Sequence, residues 1–294
     1  MNKTVHVHSL LHAPSSTWSH LVSDPTSGQA LIVDPVLDFD YASGNTGHAS
    51  AAALLDEVRA RSLQLQWILE THAHADHLSA APWLRAQTGA RIGIGAGIRE
   101  VQAHFSKAFN FEHGFRTDGS QFDHLFRDGE RFALGALEGR VIATPGHTRD
   151  SLSYLIGDAL FVGDSLFMPD GGTARCDFPG GDAGMLYDSI RRLYELPDDT
   201  RIFVCHDYAP GGRAPRVETS IGEQRRNNIH VRDGITRAQF IAMRAARDRS
   251  LGMPALMYPS VQVNVRAGAL PPAEDNGVVY LKVPVGGTAI PSAA

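Results

Sequence analysis

Residues 72–77 read His-Ala-His-Ala-Asp-His, so three imidazoles and one carboxylate fall within six consecutive positions. A neutral imidazole presents a nitrogen lone pair to a metal, and a carboxylate adds a hard oxygen donor. Two to four such groups that converge on one point form a transition-metal site. The segment therefore predicts a metal centre.

Three further donors, His147, Asp164 and His206, each follow a predicted β-strand, as does the histidine-rich segment itself. Loops held at the ends of a rigid sheet are common positions for catalytic groups. Gly146 and Gly163 precede two of these donors, and glycine permits a sharp backbone turn there. A single histidine of this kind would most simply be a buried, hydrogen-bonded side chain. Four strand ends that each deliver a donor favour one shared site.

Short runs rich in Val, Ile and Leu, bounded by Gly, Asp or Pro, predict the strands that must position these donors. The predicted strands are residues 4–11, 29–34, 65–70, 91–94, 131–134, 139–143, 151–156, 159–162 and 201–205. Apolar residues at helical spacing predict helices over residues 49–61, 96–109, 184–196 and 235–249. The order favours an α/β fold with two mixed sheets packed face to face and helices outside.

The remainder of the chain, from residue 252 onward, is rich in Pro and Gly. Two β-like pieces, residues 260–265 and 278–283, predict an ordered extension wrapped on the core. The segment is too apolar for a free disordered tail.

Composition narrows the class of protein further. The 294 residues are 43% hydrophobic and 20% charged, which is typical of a globular protein with an ample core. A net charge of −5 without long runs of one sign argues against a nucleic-acid partner or a polybasic membrane surface. No apolar run is long enough to span a bilayer. Two cysteines, Cys176 and Cys205, do not form a disulfide framework, so we expect a reducing, cytoplasmic setting.

In their order along the chain, the His-Ala-His-Ala-Asp-His segment, Gly146-His147, Asp164 and His206 resemble the metallo-β-lactamase superfamily. The resemblance implies an αββα sandwich with metal between the sheet edges. We assign residues 1–232 to this catalytic domain, and residues 233–294 to a C-terminal helix and extension packed on the same domain. The pattern is specific for the fold and weak for the reaction, since relatives include thioesterases, lactonases, nucleases and sulfur dioxygenases.

The resemblance implies two ways to use the donors. A dinuclear zinc site for hydrolysis would use all seven, with Asp164 as the bridge. The two ligand sets would be His72, His74 and His147 for one ion and Asp76, His77 and His206 for the other.

A mononuclear site would use only His72, His147 and Asp164, two imidazoles and a carboxylate that match the facial triad of non-haem Fe(II) oxygenases. Three metal positions would stay open for substrate and dioxygen. The remaining donors, which would orient ligands and hold water, are His74, Asp76, His77 and His206.

The loop Arg175-Cys176-Asp177-Phe178 favours the mononuclear alternative. It resembles the Arg-Thr-Asp-Phe loop of persulfide dioxygenases, with Cys176 as the departure. Hydroxyacylglutathione hydrolases share the scaffold but typically lack the Asp-Phe pair. The surrounding sequence and residues 259–268 resemble a bacterial, β-lactamase-hydrolase-like branch of the persulfide dioxygenases.

This resemblance implies a dioxygenase with one Fe(II) per subunit that converts glutathione persulfide, dioxygen and water into sulfite and glutathione, and it is compatible with a homodimer. A dinuclear Zn(II) hydrolase of the hydroxyacylglutathione hydrolase type is the alternative. A persulfide-binding protein without turnover is a third hypothesis, and the intact donor set argues against it.

The expected substrate carries two carboxylates, so basic and phenolic groups should lie near the metal. The planar guanidinium of arginine matches a carboxylate, and we predict glutathione contacts from Arg175, Tyr208 and Arg213. Each could instead serve as a structural ion pair or a core tyrosine. Asp177 is predicted to hold the loop by pairing with Arg175. The Arg-rich helix over residues 237–249 is predicted to present a solvated or interface face.

Overall fold

The structure, a computed structural model, describes residues 4–286. The strands are β1 (His6–His12), β2 (Thr17–Ser23), β3 (Gln29–Val33), β4 (Val36–Asp40), β5 (Asn45–Gly47), β6 (Gln64–Leu69), β7 (Leu78–Ser79), β8 (Arg91–Gly95), β9 (His124–Phe126), β10 (Arg131–Leu134), β11 (Leu137–Ala143), β12 (Leu152–Ile156), β13 (Ala159–Phe161), β14 (Arg201–Phe203) and β15 (Glu218–Ser220). The α-helices are α1 (Ala49–Ala60), α2 (Ala81–Thr88), α3 (Ile98–Ala108), α4 (Ala183–Leu193), α5 (Ile221–Asn227), α6 (Arg237–Asp248) and α7 (Met257–Asn264). Within residues 4–286, no helix combines the length and apolar character needed to cross a membrane.

Two six-stranded sheets carry the fold. The first has the order β1-β2-β3-β6-β8-β9 and the second the order β10-β11-β12-β13-β14-β15. Both are mixed: β3, β6, β8 and β9 pair in parallel, as do β13 and β14, and the other pairs are antiparallel. A small third sheet, β5-β4-β7, lies beside them.

Successive residues of the central strands pack into different hydrophobic cores, which shows how the sheets and helices are layered. In β3, Ala30 and Ile32 belong to a core shared with α1, α2, α3 and α7, whereas Leu31 and Val33 belong to a core between the two sheets. In the second sheet, Phe161 belongs to the core between the sheets, and its neighbour Leu160 belongs to a third core with α4, α5 and α6. Because successive strand residues face opposite sides, each sheet buries both faces. The predicted sandwich of two sheets with helices outside is confirmed.

The C-terminal extension differs from the sequence prediction. Residues 260–265, predicted as β-like, lie almost entirely in α7, and residues 278–283 form no regular strand. Alternating Val and polar residues normally indicate a half-buried strand, but here Gln262 and Asn264 are buried as well. A segment buried on all sides carries no usable periodicity. The end residues 1–3 and 287–294 lie outside the described residues, so the predicted domain bounds stay predictions.

His230, in the segment between α5 and α6, is a buried histidine held in its neutral form. Its Nδ1 accepts a hydrogen bond from the backbone N–H of Thr173 (3.0 Å). Burial, together with the nearby cations Arg244 and Arg247, lowers the pKa of His230 to about 4. The folded protein therefore resists protonation of this ring at pH values where the unfolded chain accepts it.

We expect the His230 contribution to the free energy of unfolding to be complete above about pH 6.5 and lost towards pH 4. The loss should reach roughly 1–3 kcal/mol. His230→Asn does not titrate and should show a smaller fall in stability between about pH 7 and about pH 5, measured by urea unfolding of metal-free protein. His6→Asn, at an exposed position, is the control. Equal losses in wild type and His230→Asn would contradict the assignment.

Candidate metal centre

Strand direction brings the predicted donors to one edge of the sandwich. β11 and β13 both pair antiparallel to β12, and β14 runs parallel to β13, so these three strands end at the same edge of the second sheet. His147, Asp164 and His206 follow those strand ends. His72 and its neighbours follow β6 in the first sheet. The sheets therefore bring both groups of donors together where their edges meet.

Two glycines make the turns that aim the donors. Gly146 has φ +140°, and a Cβ there would lie 2.2 Å from the backbone nitrogen of Leu186. Gly163 has φ +50°, and its Cβ would lie 2.5 Å from Oγ1 of Thr71. Any side chain would clash at either position, so these glycines are needed for close approach as well as for their backbone conformation.

The seven predicted donors form two adjoining clusters. The ligand atoms within each cluster lie within 4.8 Å of one another. Asp164 connects them, because its Oδ2 lies 3.5 Å from Nε2 of His147 and its Oδ1 lies 3.3 Å from Nε2 of His206. The clusters are His72, His147 and Asp164 in one, and His74, Asp76, His77 and His206 in the other. The structure thus assembles the mononuclear set. It groups His74 with the second cluster, however, and not with His72 and His147 as the predicted dinuclear set has it.

The donor atoms fit a metal. Nε2 of His72, Nδ1 of His74 and Nε2 of His77 are buried and have no hydrogen-bond partner among the described residues. A buried polar atom without a partner costs on the order of 1–3 kcal/mol. A shared cation would satisfy several of these lone pairs at once, which accounts for their convergence.

Neighbouring groups orient two of the ligand rings. His147 donates from Nδ1 to the backbone oxygen of Arg175 (2.7 Å), which leaves its Nε2 lone pair for a metal. Nδ1 of His72 lies 3.1 Å from Oγ1 of Thr71, whose hydroxyl donates to Asp34 (2.9 Å). Thr71 Oγ1 therefore accepts a hydrogen bond from the Nδ1–H of His72. This leaves the Nε2 lone pair of His72 for a metal, as in His147.

Burial and neighbouring charge set the protonation of the cluster. Burial, reinforced by adjacent imidazoles, lowers the pKa of His72 and of His74 well below the usual value, so both rings stay neutral. Burial raises the pKa of Asp164. For Asp76, burial opposes ionisation, but His206 and the neighbouring imidazoles together outweigh it and hold the pKa well below the usual range. Asp76 and Asp164 outweigh burial at His206 and raise its pKa, so a divalent cation would displace a proton there, whereas His72 and His74 are already neutral.

Two buried carboxylates that support the histidine segment escaped the sequence analysis. Asp34 accepts from the backbone N–H of Thr71 (2.7 Å), and Asp150 accepts from the backbone N–H of Ala73 (2.8 Å). Asp34 directly follows β3, so the same strand-end rule that found the other donors could have found it. Asp150 gives no such signal, since it lies in the turn between β11 and β12.

A cavity of about 530 Å³ opens from the donors, large enough for a drug-sized ligand. Arg175 and Tyr208 line it, as predicted contacts should, whereas Arg213 is not among its lining residues. The ring of Tyr208 stacks on His206 with 5.9 Å between centroids. Arg175 holds Asp177 through two hydrogen bonds (2.6 and 2.7 Å) and also donates to the backbone oxygen of Gly252.

Arg213 is engaged in structural ion pairs. Its guanidinium binds both oxygens of Asp170 (2.6 and 2.7 Å) and both oxygens of Asp207. Asp207 also accepts from the backbone N–H groups of Ala209 and Arg216. These contacts favour the structural alternative for Arg213, and a role in substrate binding stays a prediction without geometric support.

The Arg-rich helix α6 is only partly the solvated face that its sequence predicts. Arg244 is buried, binds Asp248 and donates to the backbone oxygen of Thr173. One turn later, Arg247 is exposed and lines the cavity. Its guanidinium has no hydrogen bond or ion pair with any residue in the range 4–286, unlike Arg175 and Arg244. The sequence analysis missed Arg247 because an exposed arginine carries no signal by itself.

Cys176, which adjoins Arg175, is a buried structural residue. Its backbone N–H donates to Asp248 (2.9 Å), and burial raises the pKa of its thiol to about 12. A thiol with this pKa is protonated near neutrality and is a poor nucleophile. The side chain therefore fits a small loop residue rather than a reactive one.

The fold and the donor set agree with the sequence comparison, in which residues 12–206 match the Metallo-beta-lactamase superfamily. The chain belongs to this superfamily. It is therefore a metal-dependent enzyme by class, with a His- and Asp-lined site suited to the metal.

Individual relatives carry different names. The chain is 52% identical over 279 residues to a probable metallo-hydrolase of Burkholderia pseudomallei, covering 92% of this chain and 95% of that protein. It is also 52% identical to a beta-lactamase hydrolase-like protein of Agrobacterium fabrum, covering 92% of this chain but only 62% of that longer protein. At 28% identity, it matches a hydroxyacylglutathione hydrolase of Methylococcus capsulatus over 84% of this chain and 80% of that protein.

Among solved structures, ETHE1 from Myxococcus xanthus is similar with a TM-score of 0.72 and 33% identity. The alignment covers 90% of this chain and all of that chain.

Asp164→Ala should abolish metal binding, because Asp164 is the side chain that contacts both clusters. Metal per chain, measured by plasma mass spectrometry after reconstitution and desalting, should fall at least about tenfold. Asp188→Ala, at an exposed carboxylate of α4 that pairs with Arg237 of α6, should bind metal like wild type. Full metal content in Asp164→Ala would show that the site assignment is wrong.

Proposed function

We propose that this protein is a mononuclear Fe(II) glutathione persulfide dioxygenase. The observation that carries the proposal is the contact between the Arg175–Phe178 loop and the metal ligand His147. The backbone oxygen of Arg175 accepts from His147, and the ring of Phe178 packs edge-on against His147 at 5.6 Å. The segment that resembles persulfide dioxygenases is therefore part of the site itself. The similarity to ETHE1 supports the same reading.

In this proposal, His72, His147 and Asp164 hold the iron. Two imidazoles and a carboxylate leave room for exogenous ligands, which suits a reaction between a soft anionic sulfur and dioxygen. When bound, Fe(II) would supply the redox chemistry with dioxygen that closed-shell Zn(II) lacks. In the net reaction, glutathione persulfide, dioxygen and water give glutathione, sulfite and two protons. The outer sulfur is oxidised and dioxygen is reduced.

The cavity walls suit a substrate with an apolar stem and anionic ends. Phe39, Phe167, Phe178 and Leu256 line it together with cationic side chains. Hydrogen bonds to Asp177 and to the backbone oxygen of Gly252 fix the guanidinium of Arg175, so it is preorganised for a substrate. Tyr208, parallel to His206, presents its phenol to the same cavity. We assign Arg175 and Tyr208 to glutathione contacts and Asp177 to loop support.

Arg247 is not among the predicted glutathione contacts, but it adds a further cationic side chain to the cavity wall. Because its guanidinium has no acceptor among residues 4–286, Arg247 can bind a carboxylate at the exposed side of the cavity without first breaking an ion pair with them. The buried metal ligands lie at the other, enclosed side. We therefore propose that the persulfide end of glutathione enters towards His147, and that Arg247 binds a carboxylate at the mouth.

A dinuclear zinc hydrolase is the second candidate. The cluster of His74, Asp76, His77 and His206 favours it, because these ligand atoms also lie within 4.8 Å of one another and could hold a second ion. With these residues holding the second ion, the zinc pair would supply the chemistry for hydrolysis of a glutathione thioester. The Arg175–Phe178 loop gives the dioxygenase preference over this alternative.

Dioxygen uptake separates the two candidates. Protein loaded anaerobically with Fe(II) should consume dioxygen when given glutathione persulfide and release sulfite in equal amount, measured with an oxygen electrode and a sulfite assay in one vessel. Zinc-loaded protein is the control and should do neither. Hydrolysis of a glutathione thioester by the zinc form, without uptake by verified iron-loaded protein, would favour the hydrolase.

Arg247→Gln should raise KM for glutathione persulfide by roughly 5- to 100-fold with little change in kcat, because a charged hydrogen bond contributes about 1–3 kcal/mol to binding. Arg249→Gln removes an exposed arginine two residues away that does not line the cavity, and should behave like wild type. Equal KM values for wild type and Arg247→Gln would exclude Arg247 from the substrate site.

A further inference from the structure

The C-terminal helix α7 reaches the metal-binding segment from outside the region that matches the superfamily. The match ends at residue 206, and α7 spans Met257–Asn264. Its last residue, Asn264, is buried against the loop that carries His74, Asp76 and His77. A contact between these two parts of the chain joins residues about 190 positions apart in sequence.

Asn264 uses its amide completely in this contact. Its Nδ2 donates to the backbone oxygens of His74 and His77, each at 2.8 Å. Its Oδ1 accepts from the backbone N–H of Ser79 (2.9 Å). One side chain therefore satisfies two buried carbonyls of the loop, on both sides of Asp76, and one N–H of the adjoining strand β7.

The loop needs such support because it lacks regular structure. Residues 70–77 form neither helix nor strand, so their buried N–H and C=O groups require partners from elsewhere. Asp34 and Asp150 bind backbone N–H groups at Thr71 and Ala73, in the first half of the loop. Asn264 binds the second half. Its loss would leave the carbonyls of His74 and His77 without this partner.

We propose that Asn264 is a positioning residue of the metal centre: it holds the backbone of His74 and His77 so that their rings and Asp76 converge. The C-terminal segment is then part of the metal site rather than only a covering of the core. The inference does not depend on which reaction the protein catalyses, because both candidate functions need this loop in place.

Asn264→Asp tests the role with a change of nearly equal shape. The carboxylate keeps the acceptor for Ser79 and loses both donations, to His74 and to His77. It also adds negative charge near a cation site, and that charge by itself would strengthen metal binding. A fall in metal affinity would therefore report lost geometry and not an electrostatic effect.

The same helix offers a matched control. Gln262 is buried two residues away, and its Nε2 donates to the backbone oxygens of Tyr258 and Lys282 while its Oε1 accepts from the Lys282 N–H. Gln262→Glu is therefore the same chemical change with the same count of lost donations, but it does not touch the metal-binding loop.

The readouts are zinc affinity, by competition with a chromophoric chelator, the visible spectrum of the cobalt(II) form, and the Tm of metal-free protein. None of them requires dioxygen or persulfide, so failure of this proposal is distinct from failure of the proposed reaction. Asn264→Asp should lower zinc affinity by roughly 10- to 100-fold and alter the cobalt spectrum. Gln262→Glu should lower Tm without either change.

Zinc affinity and a cobalt spectrum like those of wild type in Asn264→Asp would overturn the proposal. So would equal losses of affinity in both variants at equal losses in Tm, since that result would mark a purely structural role. If Asn264→Asp does not fold, Asn264→Ala and Gln262→Ala replace the pair, with the same expected contrast and the same contradicting outcomes.

Discussion

The rest of this structure depends on one constraint: several imidazole lone pairs are buried without a hydrogen-bond partner among the residues that the structure describes. Removing these groups from water costs free energy, and burial keeps His72 and His74 neutral. Such an arrangement is stable only if rigid elements hold the donors in place and a cation can satisfy them. Two sheets buried on both faces provide that rigidity, and the donors occupy the loops where the sheet edges meet.

Residues around the donors fix the conformation of those loops and the orientation of the donor side chains. The turn glycines Gly146 and Gly163 allow approaches that any Cβ would block, and the carbonyl of Arg175 selects the ring nitrogen that His147 presents. Asp34 and Asp150 pair with backbone groups of the histidine segment. These residues need not touch the metal to matter, because each removes an alternative orientation of a ligand.

The arginines that line the cavity fall into two kinds, those paired with protein acceptors and one that is not. Arg175 and Arg244 are bound by protein acceptors and shape the wall, whereas the guanidinium of Arg247 lacks a partner in the described part of the chain. An arginine that is already held by protein acceptors loses little side-chain entropy when a ligand binds. An arginine without such an acceptor can bind an anionic ligand without first breaking an ion pair. The two kinds together suit a ligand that must be both oriented and held at an anionic end.

The sequence alone determined the donor types, their order and the strand ends that carry them, so the sandwich and the candidate ligands could be predicted. Strand propensity and glycine turns are local properties, readable from a few residues. Tertiary structure decided the rest. The helix α7 is buried on almost all sides, Arg213 is held by Asp170 and Asp207, and Asn264 meets the His74 carbonyl across about 190 residues. These outcomes depend on which distant groups become neighbours, and no local pattern encodes that.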